Sequence, residues 1–240
     1  MAETGHARNV ERFAQLISFV QGYGADYAPG NPAISLANLQ AKLAESEAGI
    51  DGVSASKAPL TVVVNDRQNL FAELRPKATR IVNSFESQGK PQNAVDDVKT
   101  VNRKIVGVKV KTLPKGATAA PEDGDGKAHS ASQQSYTQLS EHWDNLIELL
   151  DTSGFAANEP DLTLPALTAF GTSLKDSNTA VISATTLWSN ARITRDEALY
   201  NKDTGLVALA GLVKKYVKSL YGADSPQFRQ ISGLQFVSRK

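Results

Sequence analysis

Ile34-Ser35-Leu36-Ala37-Asn38-Leu39 and Leu162-Thr163-Leu164-Pro165-Ala166-Leu167 are one device written twice, 128 residues apart (162 − 34 = 128). In each, a hydroxyl residue stands where a helix begins, and its oxygen can accept a free backbone N–H of the first turn. The apolar residue just before it and the one four residues after it have the spacing of a hydrophobic staple. Pro165 falls in the first turn, where a missing N–H costs little.

The repetition extends outward from this start. Tyr27 matches Phe155, Pro32 matches Pro160 and Arg67 matches Arg195, all at the same offset. With small length changes, Pro91-Gln92 then matches Pro226-Gln227, and Ile105-Val106-Gly107 matches Ile231-Ser232-Gly233. Preserved order over this length implies an internal duplication. The expected fold is all-α: two homologous antiparallel bundles of about four helices each, related by a pseudo-two-fold axis. The first repeat is expected over residues 1–107, a linker over 108–130 and the second repeat over 131–240.

Apolar residues at helical spacing set the expected elements. Val10, Phe13, Leu16, Ile17 and Val20 predict a helix near 8–22. A second runs from Ser35 to about 55, and a third over about 60–88 with a possible kink at Pro76. Thr61-Val62-Val63-Val64 is β-branched and leaves a short extended entry open. A fourth helix spans about 91–106. Val108-Lys109-Val110-Lys111-Thr112 alternates like a strand. In the second half, Tyr136, Leu139, Trp143, Leu146, Ile147 and Leu150 predict a helix. Others are expected over 163–185 and 187–221, bent near Asp203-Thr204-Gly205, with a short last helix from Ser225-Pro226 to Ile231.

Composition narrows function. Lys+Arg 26 against Asp+Glu 25 gives a net charge of +1, so nothing drives phosphate binding and nucleic acid is not an expected partner. With no cysteine there is no disulfide, thiolate nucleophile or cysteine-ligated zinc. Met1–His6 has no basic region followed by an apolar run, and no apolar stretch reaches 18 residues, so a cytoplasmic location is expected.

Motifs for catalysis are missing. There is no phosphate-binding GxxxxGK[ST] loop, no GxGxxG and no GxSxG elbow. The three histidines, His6, His129 and His142, form no Glu-x-x-His or His-x-x-x-His pair, so no metal site and no cofactor are expected. Pro121–Lys127 resembles a calcium loop faintly but lacks its carboxylate spacing. Arg67 and Arg195, each beside an aspartate (Asp66, Asp196), are candidate paired partner sites; an ion pair fixing helix register is the plainer reading. Tyr27 and Phe155 are a second candidate pair, with ring packing over the neighbouring prolines as the plainer role. Leu206–Tyr221, with Lys214, Lys215 and Lys218, is the sole membrane-like segment, though lysines near a helix C-terminus also complement its dipole.

The motifs Tyr27-x4-Pro32-x-Ile34-Ser35-Leu36, Asn102-Arg103-Lys104-Ile105-Val106-Gly107 and Tyr221-Gly222-Ala223-Asp224-Ser225-Pro226-Gln227-Phe228 resemble a family of duplicated α-helical proteins from Bacteroidota and other environmental bacteria. The resemblance implies a helical fold and a bacterial source. The family has no assigned activity, so no catalytic residue carries over.

The functional expectation is a non-catalytic structural or interaction protein, with a homo-oligomer or another protein as partner. The alternatives are a membrane-active helical protein and a ligand binder or enzyme with its site between the repeats.

Overall fold

A computed structural model describes residues 4–107 and 134–238. Eight α-helices make up the described chain: α1 Thr4–Gly22, α2 Leu36–Ala72, α3 Leu74–Ser87, α4 Gln92–Val106, α5 Tyr136–Thr152, α6 Leu164–Tyr200, α7 Leu206–Tyr221 and α8 Pro226–Ser232. Two short 3₁₀ turns lie between α1 and α2, and no strand occurs among the described residues. The fold is all-α. The alternating segment 108–112 and the 108–130 linker lie outside the described residues.

The helix starts follow the sequence. The Ser35 hydroxyl accepts the Asn38 N–H at 3.4 Å, and the staple residues Ile34 and Leu39 are both buried. At the second site Leu162 and Leu167 are buried in the same way, but the Thr163 hydroxyl donates to the Pro160 carbonyl at 3.2 Å instead. Ser225 caps α8 by accepting from Phe228 N at 3.1 Å, with Pro226 in the first turn.

Two expected helix ends do not exist. α2 continues through residue 55 and through Thr61–Val64, all of it helical, to Ala72. α6 runs unbroken through residues 185–187 to Tyr200. Both helices have 37 residues, and their first residues differ by the same offset (164 − 36 = 128). The reason is burial. Leu39, Leu43, Ser46, Ile50 and Val53 alternate steps of four and three, the seam of helices that wrap one another. Every position of α2 that is at least partly buried has an at least partly buried counterpart 128 residues on in α6. A seam of this length sustains the helix past weak local signals. The kink expected at Pro76 is a helix boundary: α2 ends at Ala72, α3 starts at Leu74, and the proline lies in the first turn of α3.

The expected bend near Asp203 is a full break. The Asn201 side chain accepts from Asp203 N at 2.9 Å and Thr204 N at 3.0 Å, so the backbone turns before α7 begins. The first half breaks at Glu73 alone, which places the later elements at a larger offset (Leu206 − Leu74 = 132).

By contacts the chain divides into two compact units, 1–61 with 183–240 and 62–182. These differ from the expected repeat boundaries at 107 and 131, because the divisions fall inside α2 and α6. The first unit packs α1 with α7 and α8, and its core holds Phe13, Leu16, Val20, Leu206, Val213 and Ile231. The second packs α4 with α3 and α5 around Phe85, Val98, Ile105, Trp143 and Leu146. Each unit therefore draws on both halves of the sequence.

Pro59 stands in the interior of α2 and is exposed. It leaves the Ala55 carbonyl without its helical donor, and α6 has Leu187 at the matching position. Pro59→Leu is expected to stabilise the protein by about 2 kcal/mol: a lost interior hydrogen bond is restored, less the entropy a proline removes from the unfolded chain. Thermal unfolding followed by circular dichroism measures it.

Candidate functional site

The four side chains singled out in the sequence occupy different surroundings. Arg195, on α6 in the first unit, is 2% exposed. Its Nη2 and Nε donate to Asp196 Oδ1 at 2.8 and 3.1 Å. The α2 backbone comes close here, since a Cβ placed on Gly49 would lie 3.2 Å from Arg195 Cα. Arg67, on α2 in the second unit, makes no ion pair with Asp66 among the described residues. Its guanidinium lies 4.1 Å from the centre of the Tyr136 ring, and its buried Nε has no hydrogen-bond partner there.

Tyr27 and Phe155 are both buried. The Tyr27 hydroxyl donates to Ile34 O at 2.7 Å, and its ring meets Tyr216 of α7 edge-on at 5.3 Å. Burial, with the neighbouring Tyr216, raises its pKa well above the usual tyrosine range. Phe155 packs on Phe85 at 6.1 Å in the second unit. Both rings hold the link before a long helix against a core.

The polar residues that do meet are others. His6 and Asn9 are buried on α1, where they continue the stripe of Val10 and Phe13. His6 Nδ1 lies 2.8 Å from the Tyr200 hydroxyl. The Asn9 amide takes both backbone groups of Val237: Nδ2 donates to its carbonyl and Oδ1 accepts from its N–H, each at 2.9 Å. Arg12 donates to Gln235 O, and Lys214 donates to Leu234 O and, at 3.3 Å, to Ser232 O. Burial and the charge of Arg12 lower the Lys214 pKa. These groups fix the segment after α8. Polar residues at stripe positions of α1 were the signal in the sequence for this role.

His142, on α5, is also buried, and its Nε2 has no partner among the described residues. Burial first, then the Lys104 charge, hold its pKa below the ordinary 6.5, with Glu141 opposing them. The unfolded chain therefore takes up the proton before the folded one. The contribution is complete above about pH 6.5 and declines as pH falls from there toward the depressed folded value. Wild-type protein is expected to lose thermal stability between about pH 7.5 and pH 5.5, and His142→Leu to lose less over the same range.

Asp161 joins the turn before α6 to α3: Arg80 donates to its two oxygens at 2.6 and 3.1 Å, and this pairing lowers its pKa. Both units carry surface concavities. One of about 710 Å³ runs between α5 and the start of α6 and is lined by Ile147, Glu148, Asp151, Leu164 and Ala169 among others. Smaller ones of about 400 and 270 Å³ lie beside Tyr200 and Tyr23. Among the described residues, no group of three His, Asp or Glu could hold a metal ion. The Pro121–Lys127 segment and His129 lie outside the described residues.

The membrane-like face of Leu206–Tyr221 is occupied. Leu206, Leu209, Val213 and Val217 are buried in the first unit's core. No described helix is long and apolar enough to cross a membrane. No family model, curated protein sequence or solved structure matches the chain.

Proposed function

We propose that the protein is non-catalytic and structural, that it self-associates through helical surfaces, and that its halves are copies of one unit related by a pseudo-two-fold axis. The duplication is supported by the equal lengths and shared burial pattern of α2 and α6. Self-association is supported by one observation above others. Ile182, Leu187 and Ile193, within twelve residues of α6, are exposed by 66, 65 and 64%. Large aliphatic side chains left in water at this density favour contact with another protein surface. Arg67 and Arg195 add to this reading, since each is engaged locally, on a ring and on a carboxylate.

Light scattering across a dilution series tests it. A mass above the 25.7 kDa of one chain, rising with concentration, is the expected result. A mass fixed at one chain throughout would overturn it.

A further inference from the structure

Two of the longer helices have charges of one sign only. α5 carries Glu141, Asp144, Glu148 and Asp151 with no lysine or arginine. α7 carries Lys214, Lys215 and Lys218 with no acidic residue. Resting on the self-association reading, we propose that the groove between α5 and α6 receives the basic face of α7 from a second copy of this chain.

The groove has an apolar floor, with Ile147, Leu164 and Ala169 in its lining, and acidic side chains along the α5 edge. Lys175 of α6 pairs with Asp144 at 2.7 Å. Glu148 and Asp151 have no ion-pair partner among the described residues, and both are exposed. On α7, Lys214 is spent on the backbone after α8, whereas Lys215 and Lys218 are exposed and have no acidic partner among the described residues.

The spacing matches. Glu148 and Asp151 are three residues apart on a helix, and so are Lys215 and Lys218, so two ion pairs can form at once along one turn. Lysine stems laid over the floor would cover apolar surface while their ammonium groups reach the carboxylates. Gly211, one turn before Lys215, has open space around its α-carbon and lets the arriving backbone come close. Groove and basic face are different surfaces of the same chain. Each contact joins unlike surfaces, so copies can pair reciprocally or continue head-to-tail into rings or open chains.

The test uses the full-length chain, with light scattering as the readout and circular dichroism to check helicity. Wild-type protein should assemble in about 50 mM salt and lose mass in about 500 mM, because exposed ion pairs are screened. Glu148→Lys with Asp151→Lys, or Lys215→Glu with Lys218→Glu, should each raise the apparent dissociation constant about tenfold or more, through like-charge contact. Mixed in equal amounts, the two variants should co-assemble to about 51 kDa or more (2 × 25.7), since each groove meets a face of opposite charge only on the unlike copy. Assembly of wild-type protein that ignores both double variants, or a mixture that stays at one-chain mass, would overturn this docking and leave self-association standing. A wild-type mass fixed at one chain in every condition would overturn both.

Discussion

Trp143→Ala is expected to lower stability by about 3–5 kcal/mol, the cost of removing a large ring from a filled core. Trp143 is 0% exposed. Its indole N–H donates to Leu167 O at 3.0 Å, and its ring meets Phe170 edge-on at 5.1 Å. The ring fits because α6 has a glycine beneath it: a Cβ on Gly171 would lie 2.9 Å from the indole Cδ1. The other half solves the same problem in reverse, with Phe13 on α1 and Leu43 on α2 at the matching positions (143 − 13 = 130; 171 − 43 = 128). Gly171→Leu alone should therefore be severely destabilising through overpacking, by about 3 kcal/mol. Adding Trp143→Phe should recover most of that loss. Urea unfolding of the two single variants and the double variant measures the coupling, and additive losses would refute the exchange.

The two arginines should behave unequally despite their matching positions. Arg195→Ala is expected to cost about 2–4 kcal/mol, because it empties a site buried between α6 and the close-approaching α2 backbone and removes the ion pair to Asp196. Arg67→Ala should cost only about 1 kcal/mol, the scale of a cation–π contact at a partly exposed site. The difference in urea midpoints is the readout. Equal losses would mean that Asp196 and burial add nothing at Arg195.

Much of this was legible in the sequence, and the two helix ends placed wrongly have one cause. Helix starts could be placed because caps and staples are local: Ser35, Ser225-Pro226 and Ile34 with Leu39 announce themselves within a few residues. The interior of the long helices could not. Residues 55–64 and 185–187 look like boundaries because they contain Pro59, β-branched runs and few apolar stripes. They stay helical because the seam on either side is buried against partners distant in sequence. The compact units were hidden for the same reason, since a helix assumed to end at 55 cannot deliver α3 and α4 to the packing around α5. For the candidate site, Arg195 beside Asp196 could be read directly. The stacking of Arg67 on Tyr136 could not, because residues 67 and 136 meet only in the fold. The acidic α5 and basic α7 are plain as charge patterns, but which of those charges lack partners emerges only from the folded contacts.

The break points inside α2 and α6 have an evolutionary consequence. On the duplication reading, a lone ancestral copy could not have completed either compact unit, because its first helix finds its neighbours in the other copy. Such a gene product had to exist as an interlaced homodimer that traded helices between chains. Fusing the two genes then turned an encounter between molecules into an intramolecular event, freeing the protein from its own concentration and letting each lobe diverge, as Trp143 with Gly171 has from Phe13 with Leu43.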